Sequence, residues 1–228
     1  MRFIDFFAGI GGFRLGMERA GHICVGHCEI DEAANRSYVA MHKPKEDEWY
    51  ARDIRTVEPS DLPSAEVYCF GFPCQAFSLA GNRRGFADTR GTLFFEVMRL
   101  AKERHPDLLF AENVKGLLNH DNGRTFGTII RTMDELGYDV EWQVCNSKYW
   151  LPQNRERVYI IGHFRGGGCT KRILPLDFDY TEVDELQRFD NSTCLDTRIE
   201  GNTRGTYPID GGGYLKVNGY HKSQENRQ

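Results

Sequence analysis

Residues 1–165 alternate short apolar runs with amphipathic stretches, and few folds accommodate that alternation. Phe3-Ile4-Asp5-Phe6-Phe7 reads as a core strand. A glycine turn follows it, and then Phe13, Gly16, Met17 and Ala20 at the i, i+3, i+4, i+7 spacing of a helix packed on a core. Residues 22–28 form the next strand, ending at Glu29, and Ala34, Ser37, Tyr38 and Met41 mark a second helix. A short third strand precedes Asp53-Ile54. Val67-Tyr68-Cys69-Phe70 is a further strand, followed by a long loop and a helix carrying Phe94, Val97, Met98 and Ala101 on one face. Leu108–Ala111 is the next strand. A stripe of Phe126, Ile129, Ile130, Met133 and Leu136 predicts another helix, closed by Gly137 as C-cap. Two last strands, near 139–147 and 157–164, are separated by the Leu151-Pro152 break.

Strands and helices that alternate over short connections predict an α/β fold: a doubly wound, mostly parallel sheet covered on both faces. Ligands of such sheets bind at the carboxyl ends of the strands, so the residues just after each strand carry the most information. From about residue 166 the texture changes. Gly166-Gly167-Gly168, an acidic stretch, then Gly201, Gly205 and Gly211-Gly212-Gly213 leave no convincing helix. A boundary near 165 divides the chain into a body, 1–165, and a small glycine-rich region, 166–228.

Seven cysteines, an odd number with no Cys-x-x-Cys pair, argue for a reducing interior rather than a disulfide framework. His22, Cys24, His27 and Cys28 lie close together in sequence. Alternate residues of a strand face opposite ways, so they are expected not to converge on one metal ion. No apolar run approaches the roughly 20 residues of a membrane span. Met1-Arg2 leads straight into the first strand with no signal peptide. The expectation is a protein with no membrane association, kept in the compartment where it is made.

The net charge of −4 does not point to nucleic acid. Its distribution is uneven, however: 177–190 holds Asp177, Asp179, Glu182, Asp184, Glu185 and Asp190 against Arg188, whereas Arg83, Arg84 and Arg90 cluster in one loop.

Phe7-Ala8-Gly9-Ile10-Gly11-Gly12 joins the first strand to the first helix, where glycines permit positive φ and close approach of a ligand. No Gly-Lys-Ser/Thr follows, which excludes a phosphate-binding P-loop. An acid at Glu29 can accept hydrogen bonds from both hydroxyls of a ribose, or it can belong to a solvated helix start that Asp31 caps. Asp53-Ile54 can hold an adenine edge by the same geometry. Together these residues point to an adenosine-containing cofactor.

Gly71-Phe72-Pro73-Cys74-Gln75 holds a cysteine on a stiff turn at the ligand edge of the sheet. A thiolate is a strong nucleophile once its pKa falls. A buried, inert thiol is the commoner fate of cysteines and fits Cys24, Cys69 and Cys145 better. Residues 76–92 have no apolar periodicity, and three arginines against Asp88 give them a charge of +2. Loops of that length are usually lids or binding loops. Glu112-Asn113-Val114 closes the strand 107–111, where a partly buried carboxyl can act as an acid. Gln153-Asn154-Arg155-Glu156-Arg157 opens the last strand and puts Arg155 and Arg157 on one face. That pair is either a surface ion ladder or a means of orienting a carbonyl or phosphate.

In that order, Phe7-Ala8-Gly9-x-Gly11-Gly12, Pro73-Cys74-Gln75, Arg90-Gly91-Thr92-Leu93-Phe94-Phe95, Glu112-Asn113-Val114 and Gln153-x-Arg155-x-Arg157 resemble the motif series of the DNA (cytosine-5)-methyltransferases of bacteria and phages. The resemblance covers nearly all of 1–165. It implies a Rossmann-like methyltransferase fold and transfer of a methyl group from S-adenosylmethionine to C5 of a cytosine flipped out of duplex DNA. Cys74 would attack C6, Glu112 would bind N3 in its protonated form, Arg157 would contact the base carbonyl and Arg155 would support the site. Phe7, Gly9, Ile10, Gly11, Gly12, Glu29, Ile30, Asp53, Ile54, Pro73 and Leu93 would line the cofactor site, with no metal required. Ile30 stands where a larger aromatic often stacks on adenine. Gln75, Ser78, Arg83, Arg84 and Arg90 would meet DNA as the loop closes.

Family members continue through a recognition domain and a further segment that completes the cofactor pocket. Residues 166–228 resemble only the beginning of that domain, so the expectation is a C-terminally shortened chain that acts when whole or when complemented by a second polypeptide. Two other readings share these residues: a tRNA cytosine methyltransferase, and a remnant that keeps the fold without the activity. Ala76 in Pro73-Cys74-Gln75-Ala76-Phe77-Ser78 favours DNA. The implied setting is the cytoplasm of a bacterium or a phage-infected cell, with restriction–modification as one such role.

Overall fold

A computed structural model of the chain describes residues 1–73, 93–167, 171–174 and 176, and the backbone of 205–209, 213–217 and 219–220. Its centre is an eight-stranded sheet. The strands are β1 (Arg2–Phe6), β2 (Ile23–Cys28), β3 (Trp49–Ala51), β4 (Val67–Gly71), β5 (Leu108–Val114), β6 (Tyr138–Asn146), β7 (Glu156–Phe164) and, after the two that follow, β10 (Gly219–Tyr220). β8 (Gly205–Ile209) and β9 (Gly213–Val217) form a separate antiparallel pair. Four helices are described: α1 (Gly12–Arg19), α2 (Glu32–His42), α3 (Leu93–Arg104) and α4 (Arg124–Glu135).

The spatial order is β10-β6-β7-β5-β4-β1-β2-β3. From β1 the chain steps outward to β2 and β3, then returns to lay β4 and β5 on the other side of β1. The order therefore reverses between β1 and β4, which is where a doubly wound sheet opens a crevice at its carboxyl edge. Every pairing in this sheet is parallel except those of β7, which runs antiparallel to both β5 and β6. The mostly parallel sheet expected from the alternation is what forms.

The central strands are apolar on both faces because helices cover both, and Phe3, Ile4, Phe6, Cys69, Phe70 and Leu109 are fully buried. The stripes of α3 and α4 are buried as their spacing anticipates, with Phe95 and Leu100 added on α3, except that Leu136 falls at the C-cap of α4 and is half-buried. α4 ends at Glu135, and Gly137 takes φ +88° just beyond its C-cap, which ends the helix as a glycine there should.

The first two helices differ from expectation. On α1, Phe13 and Met17 are only partly buried, Gly16 is exposed, and the helix stops before Ala20. On α2, Tyr38 is the buried residue and Met41 is exposed. What these helices enclose is polar. Arg14, 5 % exposed, reaches from α1 to Glu48 through bonds of 2.6 and 3.0 Å and to the Tyr38 hydroxyl at 3.1 Å. His27 stacks on Tyr38 with ring centroids 4.0 Å apart and pairs with Asn35 at 2.9 Å.

This cluster also explains how Cys24 and His27 come to share a neighbour. The register of β1 on β2 shifts between Phe3/Cys24 and Ile4/Gly26, so Val25 is an extra residue and strict alternation breaks. As a result the Cys24 Sγ lies 3.9 Å and the His27 Nδ1 3.5 Å from the same Glu48 Oε1. The position among them is taken by the Arg14 guanidinium. Among the described residues no group of three or more His, Cys, Asp or Glu is placed to hold a metal ion. None of the described helices is long and apolar enough to cross a membrane.

Residues 171–174 and 176 lie beside β6. Glu141 accepts the Ile173 N–H at 2.8 Å, and Gln143 exchanges bonds of 2.8 and 3.1 Å with the backbone of Leu176.

Burial opposes ionisation of Glu48, but hydrogen bonds and charge from His27 and Arg14 outweigh it and hold the carboxyl below the ordinary glutamate range. A depressed carboxyl pKa stabilises the fold above the unfolded value of about 4.3, and that contribution is lost as pH falls through the folded value. Glu48→Gln leaves Arg14 buried without its counter-charge and is expected to cost about 3 kcal/mol at pH 7. Urea unfolding at pH 7 and pH 4 checks this, because the gap between wild type and variant should narrow at the lower pH.

Candidate active site

The glycine turn after β1 has positive φ at Phe7, Gly9 and Gly11, of 56°, 56° and 87°. A Cβ on Gly9 or Gly12 would meet nothing within 4 Å, so open space lies before bare backbone. Glu29, one residue past β2, is 8 % exposed and ties this turn to the exit of β2. Its Oε2 accepts the Gly9 N–H and its Oε1 the Asp31 N–H, each at 2.7 Å. Asp31 caps α2 by accepting from Ala33 and Ala34. Each carboxylate oxygen keeps a second lone pair, so the tie leaves Glu29 able to accept from a diol.

Asp53 follows β3. Its carboxylate is gripped by Arg55 with bonds of 2.6 to 3.1 Å, and this pairing holds it below the usual carboxylate range. The Ile54 side chain turns into the core at 2 % exposure, so toward the carboxyl edge this residue offers backbone. Arg99 of α3 fixes the turn from behind by donating to the carbonyls of Ile54 and Val57 at 3.2 and 2.8 Å. Ile10 and Ile30 are more than half exposed, Pro73 is exposed, and Phe7 and Leu93 are half-buried.

On the other side of the reversal, Gly71 of β4 stands in register with Glu112 of β5. β5 runs on to Val114, so Glu112-Asn113-Val114 lies within the strand rather than after it. Because β7 is antiparallel, its first residues reach this same edge. Val114 faces Arg157, Glu112 faces Tyr159, and Arg157 reaches diagonally to place Nε 2.8 Å from Glu112 Oε1. Both side chains remain about one-fifth to one-quarter exposed. Lys115 pairs with Glu156 at 2.9 Å beside them. Arg155 precedes β7 and is exposed. Its backbone N–H donates to Asn146 Oδ1 at 3.2 Å, and Arg157 is the one of the two arginines paired with Glu112 among the described residues.

Cys74, Gln75, Ser78, Arg83, Arg84 and Arg90 lie outside the described residues. The Phe72 carbonyl, two residues before Cys74 in the sequence, is held by a residue to which the sequence reading gave no role of its own. Asn113, 3 % exposed, donates from Nδ2 to the Phe72 carbonyl at 2.7 Å and accepts the Val114 N–H on Oδ1 at 2.8 Å. Strand alternation carried the signal. If Glu112 faces the crevice, its neighbour faces the core, and a buried amide must find partners. Cys24, Cys69 and Cys145 are free and buried, as the bland reading has it. Burial pushes the thiols of Cys24 and Cys145 up to about 11, and that of Cys69 well above the usual range.

These features define a class: an α/β fold with a glycine turn on one side of its crevice and a carboxylate–arginine pair on the other. The profile of the family described as C-5 cytosine-specific DNA methylase matches residues 1–191. The chain is 40 % identical over 203 residues to the Type II methyltransferase M.HhaI of Haemophilus parahaemolyticus, covering 88 % of this chain and 59 % of that protein. It is 45 % identical over 181 residues to the Type II methyltransferase M.HpaII of Haemophilus parainfluenzae, covering 78 % and 50 %. Among solved structures, a DNMT2 mutant of Spodoptera frugiperda superposes with a TM-score of 0.61 at 21 % identity, over 78 % of this chain and 56 % of that one. A putative DNA modification methyltransferase from an E. coli prophage gives 0.58 at 20 %, over 93 % and 62 %. The chain belongs to the C-5 cytosine-specific DNA methylase family, and its fold is that of the Rossmann-like methyltransferases. It spans half to three-fifths of the length of these curated relatives.

Asn113→Ala strands the Phe72 carbonyl and is expected to cost about 1–3 kcal/mol of stability. Urea unfolding of the variant beside the wild type checks this.

Proposed function

We propose that this chain carries the reaction centre of a DNA cytosine-C5 methyltransferase that uses S-adenosylmethionine. The observation that carries the reading is the Glu112–Arg157 pair, 2.8 Å apart at the carboxyl edge of β5, beside the Asn113-held Phe72 carbonyl two residues before Cys74 in the sequence. Open space before Gly9 and Gly12 and the spare lone pairs of Glu29 fit the cofactor's backbone and ribose. Glu29 and the turn Phe7–Gly12 would hold it with Ile10, Ile30, Asp53, Ile54, Pro73 and Leu93. When bound, it supplies an electrophilic methyl group on a sulfonium.

C5 of cytosine is a weak nucleophile, and the chain's own residues would activate it. The Cys74 thiolate forms a bond to C6, which pushes the ring electrons toward N3 and C5. A proton on Glu112 at N3 favours the enamine that results. Arg157, bound to Glu112 through Nε and to the Glu156 carbonyl through Nη1 at 2.8 Å, fixes that carboxyl's orientation and would offer Nη2 to the base carbonyl, with Arg155 supporting the turn. After the methyl group has been gained, the C5 proton leaves to a base, the C6–S bond breaks with Cys74 departing as thiolate, and the N3 proton returns to Glu112.

A base inside a duplex cannot meet these groups, so it must be flipped out at a cost of a few kcal/mol. The basic loop 76–92, with Gln75, Ser78, Arg83, Arg84 and Arg90, is the segment whose charge suits the flanking phosphates. Residues 1–165 form the catalytic domain in this reading and 166–228 the beginning of a target-recognition region. The partner in this reading is double-stranded DNA, in the cytoplasm of a bacterium or phage-infected cell.

Duplex DNA containing 5-fluorocytosine carries fluorine in place of the C5 proton; no base can remove it after methyl transfer, so the C6–S bond cannot break and the enzyme is trapped. With tritiated S-adenosylmethionine, alone or with a candidate partner chain, a covalent adduct is expected that vanishes in Cys74→Ser. An adduct unchanged in that variant would remove Cys74 as nucleophile. Glu112→Gln should slow methyl transfer on the order of 100-fold with a modest loss of DNA affinity, and equal losses of both would overturn its role as proton donor.

A further inference from the structure

The glycine turn is held from a second side by His42, the last residue of α2. The His42 Nε2 lies 2.9 Å from the Ile10 carbonyl oxygen, and since a carbonyl only accepts, Nε2 carries the proton. The N–H of the same peptide unit, that of Gly11, donates to the Ala8 carbonyl at 2.8 Å. Both polar atoms of the Ile10–Gly11 peptide are therefore engaged, and its plane cannot turn without breaking a bond. The imidazole also fills the space over Gly11: a Cβ there would lie 2.2 Å from Nε2, at a φ of +87° that already favours glycine.

The imidazole is itself held in place. Its ring packs on Tyr38 with centroids 4.8 Å apart, and Tyr38 is bound through its hydroxyl to Arg14 and stacked on His27. α2 thus grips the turn at both of its own ends. Glu29, just before the helix, takes the Gly9 N–H, and His42, at its last residue, takes the Ile10 carbonyl. Between these two anchors stand the bare face of Gly9 and the exposed side chain of Ile10, the surface that the proposed function assigns to the cofactor.

We infer that His42 is a positioning residue for S-adenosylmethionine: its Nε2–H fixes the Ile10–Gly11 peptide so that the turn meets the cofactor already in its binding shape. Preorganisation of this kind raises affinity by removing an ordering cost at the moment of binding. His42 touches no reacting atom, so its effect belongs to binding and not to the chemical step. The inference rests on the proposed cofactor site.

The test is isothermal titration of the full 228-residue chain with S-adenosylmethionine, and with S-adenosylhomocysteine as a second probe. His42→Leu keeps bulk and loses the donor, and the affinity is expected to fall about fivefold to tenfold, the value of one lost hydrogen bond. His42→Gln places an amide N–H near the position of Nε2 and should restore affinity to within about twofold. His42→Asn is too short to reach and should not. Thermal unfolding of all three variants shows whether each is folded at the titration temperature. A folded His42→Leu with wild-type affinity overturns the inference, as does a His42→Gln as weak as His42→Leu. A wild-type chain that binds neither probe overturns the proposed cofactor site itself, and the role of His42 with it.

Discussion

Because β7 runs against its neighbours, its first residues, and not its last, stand at the edge where β1, β4 and β5 end. The Glu112–Arg157 pair depends on that reversal. A parallel strand would deliver Phe164 to this edge and bury Arg157 at the far side of the sheet. The antiparallel strand delivers Arg157 to Glu112 with no loop between them, on two elements joined by seven register pairs. A carboxyl and a guanidinium placed by sheet register hold their geometry more tightly than a pair carried on loops. The opposite bank is built otherwise. There a glycine turn is shaped by side chains that reach in from Glu29 and His42, so its form depends on α2 and on what α2 packs against.

Much of this was legible in the sequence, and the misses have a common physical cause. Phe3–Phe7, Val67–Phe70 and Leu108–Ala111 announced strands because central strands of a covered sheet are apolar throughout. The stripes on α3 and α4 announced helices for the matching reason. Glu29, Asp53 and Glu112, each expected just after a strand, are brought to one edge, although β5 runs on past Glu112 to Val114. Arg14 was not found, since its partner Glu48 lies 34 residues away and no local pattern marks a buried charge on a half-apolar helix. The convergence of Cys24 and His27 was hidden by a single inserted residue, which no propensity reveals. Asn113 is the instructive case: it was quoted as part of a motif, but its own task follows only once the strand is known to run to Val114.

The buried polar cluster under α1 and α2 and the glycine turn above it form one mechanical unit. Arg14, Glu48, Tyr38 and His27 bind α1, the start of β3, α2 and β2 into a block. Tyr38 then passes the position of that block to His42 through ring contact. Charges out of water gain little net stability over apolar packing, but they have direction, and direction is what a turn needs. A wholly apolar interface here would let α2 slide, and the carbonyl of Ile10 would move with it.

The sheet also carries a consequence for how the chain behaves among its own kind. An unpaired strand edge is a template for another chain, and long flat edges invite aggregation. At one side this sheet finishes in β3, only Trp49–Ala51. At the other, β6 is nine residues long, yet it is met by the two-residue β10, while Glu141 and Gln143 draw residues 173 and 176 alongside. One margin is thus only three residues long, and the middle of the other is met by β10 and flanked by residues 173 and 176. An open margin of nine residues would invite pairing with another chain, and the described residues beyond β7 lie along part of it.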